Sequence, residues 1–326
     1  MQIGGAARFM TDAHTLSDVE EIVKAAQSQN VPFYVLGGGS NIIARDETYN
    51  GIVLRNRIMG IEKVAEDKGT ATFKIGAGEN WDEAVGKFVE LGLIGTEALS
   101  AIPGTCGAAP VQNIGAYGQE LSDTLVELEA YDTTTHTTVI FSNDECRFRY
   151  RDSIFRNEER GRYVILSITL ELYKSLPQPP FYQALQDYFT DHSITTYTAK
   201  AVREAVTAIR AEKLPDPKIK PNAGSFFKNA IIDTWLLNDL LQAYPDMPHY
   251  DMGSDRHKVP TGWLIEQCNL KGKLLYGMRV NPANALVLIN ESAGLYTNLA
   301  RARDEIQETV RTKFRINIEQ EPLEMR

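Results

Sequence analysis

An α+β fold is the class this sequence predicts, on three observations. Amphipathic helical segments and single apolar strands alternate through the first third of the chain, without the strict strand–helix repeat of a parallel sheet. Two glycine-rich loops, 37–41 and 100–118, break that alternation. A proline-dense stretch, Leu176–Pro180, is then followed by further helices and strands. The chain has 326 residues, long enough for two or three domains. The expected organisation is a first domain over 1–174 with an internal break near 60–70, a connecting segment over 175–212, and a C-terminal domain over 213–326.

Leu16–Gln29 reads as the first helix: Ser17 and Glu20 suggest an S-x-x-E capping box, and Val19, Ile22, Val23 and Ala26 recur at helical spacing. Val31–Leu36 and Ile42–Ala44 read as strands on either side of the Gly37-Gly38-Gly39-Ser40-Asn41 turn. Gly51–Arg55 and Thr70–Ile75 read as further strands. Asn80 and Glu83 open a second helix carrying Trp81, Val85, Phe88 and Val89. Strands are expected at Leu125–Asp132, Thr137–Phe141 and Tyr163–Leu172. Ala199–Ala211 is amphipathic through Val202, Ala205, Val206 and Ile209, and the prolines of Lys213-Leu214-Pro215-Asp216-Pro217 stop it. Helices near Gly262–Cys268 and Asn298–Thr312 and a strand at Ala285–Asn290 complete the expected set.

Composition narrows the function classes. Hydrophobic residues at 43% and charged residues at 24% fit a globular chain and exclude a collagen-like, disulfide-scaffold or wholly disordered one. Lysine and arginine number 34 against 43 acids, and the formal charge of −9 disfavours nucleic acid and anionic membranes as partners. No apolar run approaches the ~20 residues of a membrane span, and the opening residues lack the pattern of a signal peptide. Cys106, Cys146 and Cys268 are dispersed, which suits a reducing compartment, so a soluble cytoplasmic protein is expected. The five histidines show no metal-ligand spacing, and no protein-held metal is expected.

The GGGSN turn lets backbone approach an anion, because no side chain stands in the way. It is not a dinucleotide fingerprint: Ile42 occupies the sixth position of G-x-G-x-x-G and a strand follows. In the second loop, Gly104, Gly107, Gly115 and Gly118 accompany Pro103, Gln112 and Asn113. Two such loops in one domain suggest a diphosphate clamped between them. Cys106 has no neighbouring base and reads as a loop filler. The arginines of Arg149–Arg156 read by themselves as a solvated charge run. Pro221-Asn222-Ala223-Gly224-Ser225-Phe226-Phe227-Lys228-Asn229 presents a hydroxyl beside aromatic residues, but it is not the G-x-S-x-G of a hydrolase.

Taken in order, GGGSN (37–41), GAGENW (76–81), IPGTCGAAPVQNIGAYG (102–118), CRFRYRDSIF (146–155), KLPDPK (213–218), PNAGSFFKN (221–229) and GWLIEQCNLKG (262–272) resemble the UDP-N-acetylenolpyruvoylglucosamine reductase (UDP-N-acetylmuramate dehydrogenase) family. The match runs from about residue 16 almost to the C-terminus and fits the longer of two subtypes, with Tyr182 in an insertion. The resemblance implies an FAD-binding fold of the vanillyl-alcohol-oxidase type over 1–174. It also implies a C-terminal α+β substrate-binding domain whose last residues return to the active site. It implies NADPH-dependent reduction of an enolpyruvyl ether to a lactyl ether in peptidoglycan precursor synthesis, with NADPH as co-substrate and no obligatory protein partner.

Under that resemblance Gly37, Gly38, Gly39, Ser40, Asn41, Pro103, Gly104, Gly107, Gln112, Asn113, Gly115 and Gly118 would hold FAD. Asn41 stands where related covalent flavoproteins carry histidine, so non-covalent FAD is expected. The catalytic trio maps to Arg151, Ser225 and Glu321, with Glu319 and Glu324 as alternatives for the acid, because Ile318-Glu319-Gln320-Glu321-Pro322 departs from the family's usual L-E-x-E-V ending. Substrate contacts map to Tyr182, Lys213 and Asn229. Arginine would offset charge at the substrate carboxylate, and serine would supply a proton to the α-carbon.

Overall fold

Residues 1–325 of a computed structural model are described, and they contain eighteen strands and seven α-helices. In chain order the strands are β1 (Ala7–Ala13), β2 (Phe33–Leu36), β3 (Ile42–Ala44), β4 (Tyr49–Asn56), β5 (Ile61–Glu66), β6 (Thr70–Gly76), β7 (Gly115–Ala116), β8 (Gln119–Glu120), β9 (Leu125–Asp132), β10 (Thr137–Ser142), β11 (Tyr163–Tyr173), β12 (Ala230–Asp233), β13 (Tyr250–Asp251), β14 (Arg256–Val259), β15 (Leu274–Leu275), β16 (Met278–Val280), β17 (Leu288–Asn290) and β18 (Leu323–Met325). The helices are α1 (Leu16–Ser28), α2 (Trp81–Glu90), α3 (Gln183–Asp191), α4 (Ala199–Lys213), α5 (Thr234–Ala243), α6 (Thr261–Gln267) and α7 (Tyr296–Phe314). Two units result, one built from residues 7–39 and 49–210, the other from 1–6, 40–48 and 211 onward.

In the larger unit a parallel sheet of order β1-β4-β2 carries α1. Val19 and Val23 of α1 pack with Leu54 of β4. The cap of α1 lies two residues earlier than the sequence predicts. Thr15 accepts from Asp18 N at 3.1 Å, and the Asp18 carboxylate accepts from Thr15 N at 2.9 Å, so T-x-x-D prevails over S-x-x-E. A second, antiparallel sheet has the order β10-β9-β11-β6-β5. Helix α2 starts at Asn80 as predicted, with the Asn80 side chain accepting from Glu83 N, and lays Trp81, Val85 and Phe88 on this sheet. Phe88 meets Phe73 at a ring separation of 5.0 Å. Burying each such ring stabilises by about 1.5–3 kcal/mol. Helices α3 and α4 form a satellite core through Leu185, Phe189, Val202 and Val206.

The other unit holds antiparallel sheets of order β12-β14-β13 and β15-β16-β17, together with the parallel pair β18-β3. Its core joins Phe226 and Phe227 to Leu237 and Leu240 of α5, Leu264 of α6, and Ile306, Val310 and Phe314 of α7.

Twelve elements lie outside the predicted set: ten strands, β1, β5, β7, β8, β12, β13, β14, β15, β16 and β18, and the two helices α3 and α5. Strands β1 and β5 are sheet edges; five of the six β5 residues are exposed and a single β1 residue, Ala13, is buried, so neither shows the apolar alternation that marks a strand. Helix α5 follows Asp233 directly at the end of β12, and no loop composition separates the two elements.

Candidate active site

The two predicted glycine loops touch within the larger unit. A Cβ at Gly37 would lie 2.7 Å from Thr105 Oγ1 and 2.9 Å from Ala108 Cβ, and one at Gly38 would lie 2.9 Å from Gly104 Cα. Only glycine permits that backbone-to-backbone approach. The second loop is pinned at its base: Gly107 N donates to Ala77 O at 2.9 Å, Cys106 N to Glu79 O at 2.9 Å, and Trp81 N to Gly104 O at 3.1 Å. Gly107 therefore packs on the end of β6, where a Cβ would meet Ala77. Gly39, Gly104 and Gly118 take φ of 69°, 132° and 88° at turns. Pro103 precedes Gly104 in the same loop and is exposed. Two bare backbones packed together leave no side chain to keep an anion from their amides, which suits a diphosphate-bearing cofactor.

Gln112 and Asn113 each bond to side chains of other segments. Gln112 Oε1 accepts from Arg156 Nη1 at 3.1 Å, and Asn113, buried at φ 44°, donates to Glu120 Oε2 at 2.7 Å and accepts from Ser122 N at 3.0 Å. Arg156 is only 6% exposed, so this member of the arginine cluster is not part of a solvated charge run. It braces the glycine loop. The Cys106 thiol is fully buried and burial pushes its pKa up, which leaves it inert.

Arg151 sits in a tight turn in which Arg149 N donates to Asp152 O at 3.1 Å and Asp152 N to Arg149 O at 3.0 Å. Its φ of 54° is a left-handed conformation that costs a non-glycine residue about 1–3 kcal/mol. The guanidinium donates to the Gly115 carbonyl and lies 5.1 Å from the centre of the Tyr150 ring. A Cβ on Gly115 would come within 2.8 Å of Arg151 Nη1, so Gly115 makes room for the arginine. Tyr182 is exposed ahead of α3, and its ring meets Tyr117 edge-on at 5.8 Å.

In the other unit, the serine segment and the C-terminal acid meet. Phe226 N donates to Leu286 O at 2.7 Å, and Glu321 N donates to Phe226 O at 2.9 Å. Ser225 faces Val287, and Phe227 faces Gln320, as isolated bridges. Phe226 and Phe227 are buried while Ser225 is half-exposed, so the aromatic pair anchors the segment and leaves the hydroxyl at its edge. Asn222 folds the loop before it, donating to Pro215 O at 2.9 Å and Lys220 O at 2.8 Å.

The three candidate acids differ sharply. Glu319 is 75% exposed and pairs with Lys228 at 3.6 Å. Glu324 is buried among two arginines and a tyrosine. Glu321 is half-exposed and held to the serine segment. Asn229 Oδ1 accepts from Thr261 N at 3.2 Å, and Lys213 is exposed at the end of α4. Ser40 and Asn41 belong to this unit, where Asn41 O accepts from Leu323 N at 3.1 Å. Thr105 and Arg156, which pack on or brace the glycine loops, were not among the expected site residues, whereas Glu324 was an alternative for the acid. The signal for Thr105 was its place beside Gly104. For Arg156 the signal lay only in a partner far along the chain, Gln112.

Among the described residues no cluster of histidine, cysteine, aspartate or glutamate could hold a metal ion, and no helix is long and apolar enough to cross a membrane.

Residues 8–140 match the family described as FAD binding domain, and residues 216–324 match the C-terminal domain of UDP-N-acetylenolpyruvoylglucosamine reductase. A UDP-N-acetylenolpyruvoylglucosamine reductase of Neisseria gonorrhoeae is 40% identical over 318 residues, covering 97% of this chain and 91% of that one. Its counterpart in Pseudomonas aeruginosa is 38% identical over 316 residues, covering 97% and 93%. The crystal structure of the Thermus caldophilus enzyme of that name covers 97% of this chain and 92% of its own, with a TM-score of 0.64 at 19% identity. That likeness agrees with the expected α+β architecture of two domains.

Proposed function

The chain belongs to the UDP-N-acetylenolpyruvoylglucosamine reductase family, and we propose that it reduces UDP-N-acetylenolpyruvoylglucosamine to UDP-N-acetylmuramate for peptidoglycan precursor synthesis, using FAD and NADPH. The observation that carries this reading is near-full-length relatedness to named reductases, 40% identical over 97% of the chain. The reaction places it among soluble cytoplasmic enzymes.

Bound FAD supplies the hydride chemistry. The Gly37-Gly38 and Gly104 backbones would hold its diphosphate, with Arg156 and Gln112 bracing the loop. No histidine occupies the attachment position at Asn41, so the cofactor dissociates on denaturation.

When the enolpyruvyl double bond gains hydride at its β-carbon, negative charge develops at the α-carbon and spreads into the adjoining carboxylate. Arg151 answers that charge. Its φ of 54° and its contact with the Gly115 carbonyl fix the planar guanidinium before substrate arrives, and a fixed cation stabilises charge without reorganising. Ser225 donates its hydroxyl proton to the α-carbon, completing the lactyl ether. Glu321, held through Phe226, orients the donor or the substrate at the same end. Tyr182, Lys213 and Asn229 contact the substrate.

The test is steady-state NADPH oxidation by the purified flavoprotein. Oxidation that depends on UDP-N-acetylenolpyruvoylglucosamine, with one lactyl product per NADPH, is the expected result. Bleaching of bound flavin by a sugar alcohol instead of NADPH would reassign the chain to another oxidoreductase class.

A further inference from the structure

Glu324 is a buried carboxylate outside the roles assigned above, with only 8% of its side chain exposed. Its Oε2 accepts from Arg45 Nη2 at 3.0 Å, and its Oε1 accepts from the Tyr296 hydroxyl at 2.7 Å and from Arg303 Nη1 at 2.9 Å. The donors come from separate stretches: Arg45 follows β3, Tyr296 opens α7, and Arg303 lies two turns along that helix. The same groups continue outward. Arg303 Nη1 also donates to Gln320 Oε1 at 3.1 Å, Gln320 Nε2 donates to Pro322 O at 2.7 Å, and Tyr296 N donates to the Asp46 carboxylate at 2.6 Å.

This network surrounds a weak element. Strand β18 is three residues long and pairs only with β3, itself three residues, placing Glu324 opposite Ile43. A pair that short is at best marginal by itself. The buried carboxylate has its charge met by the two guanidinium groups, so removing it leaves their bonds unmade and the arginines and the carboxylate hold one another in place. Glu321 stands three residues before Glu324, with Gln320 and Pro322, both in the network, on either side of it.

We propose that Glu324 is a positioning residue: through Arg45, Tyr296 and Arg303 it clamps the C-terminal strand and so sets the place of Glu321 beside the Ser225 segment. The proposal rests on the reading of Glu321 as the site's carboxylate.

A double-mutant cycle tests it, using the flavoprotein and its two half-reactions by stopped-flow absorbance. E324A should slow the substrate-driven return of flavin colour about tenfold, a coupling within the usual range for residues of one network. Bleaching by NADPH and flavin content should stay within about twofold, since neither needs Glu321. E324Q keeps an acceptor for Tyr296 and Arg303 and should recover part of the loss. In an E321Q background, E324A should change the substrate-driven step less than about twofold. If E324A does not accumulate folded, Tyr296→Phe removes one donor, keeps the ring, and should give the same selective pattern at smaller size. Equal slowing of both half-reactions, or effects of E321Q and E324A that simply multiply, would overturn the proposal while leaving Glu321 in its role. An E321Q enzyme as fast as the parent would remove the Glu321 reading and this proposal together.

Discussion

The Gly38–Gly104 junction and the Ser225–Glu321 junction are built on opposite plans. The first is a meeting of bare backbones, where a Cβ at Gly38 would already lie 2.9 Å from Gly104 Cα. The second mounts functional side chains on a hydrogen-bonded backbone, with Glu321 N on Phe226 O, and anchors them through buried Phe226 and Phe227. A junction made by the absence of side chains tolerates no added atom, yet it carries no chemistry beyond holding a ligand. A junction made of mounted side chains accepts small truncations without unfolding, and its chemistry resides in single atoms. Binding and turnover should therefore fail separately under mutation.

Ser225→Ala should give the largest effect, slowing the substrate-driven return of flavin colour about 10²–10⁴-fold, the usual worth of a positioned proton donor, while bleaching by NADPH and flavin content hold. If both half-reactions slow alike, the two junctions are not separable. Gly38→Val should act in the converse way. Flavin affinity measured by fluorescence titration should fall about tenfold or more, because the branched side chain collides with backbone, while turnover per bound flavin is kept. Arg151→Lys retains the charge and loses the fork, and should slow the substrate-driven step about tenfold with little change in flavin content. Arg156→Lys should instead weaken flavin binding a few-fold, since its partner is Gln112 of the glycine loop. Gly115→Val probes the room that the glycine leaves for the arginine: a side chain there meets Arg151 Nη1, so it should reproduce the Arg151→Lys defect more than that of Gly38→Val. The smallest effect belongs to Thr15→Ala, which removes the α1 cap and should lower stability to urea by about 1 kcal/mol without changing flavin affinity or either half-reaction.

Much of both junctions was readable before any coordinates. The glycines of 37–39 and 104–118, Arg151 in YRDS and Ser225 in NAGSFFKN stand out because each lies in a short, contiguous motif. The acid did not. Glu319, Glu321 and Glu324 fall within six residues of one another in a segment without helical or strand periodicity, and nothing local distinguishes a solvated carboxylate from a buried one. The arginine cluster likewise looked uniform, although Arg156 is buried against Gln112. Edge strands β1 and β5 were illegible because they fully bury at most one residue each and their pairing, not their pattern, makes them strands.

By itself the sequence determined the helices that carry their own caps and apolar faces, such as α2 with Asn80, Trp81 and Phe88, and the turns where only glycine can follow the chain. Those outcomes depend on neighbours within a few residues, where propensity, capping and periodicity act. Tertiary structure decided which segments meet: Gly38 with Gly104, β1 with β4, β3 with β18, and Arg45 with Glu324 across 279 residues of chain. Burial and ion pairing are properties of the packed surroundings, so a residue's charge and type cannot say whether it ends in water or among partners. The same three glutamates of the C-terminal segment became an exposed ion pair, a half-exposed carboxylate beside the Ser225 segment and a buried, fully paired one because β18 pairs with β3 and α7 supplies Tyr296 and Arg303 from the side.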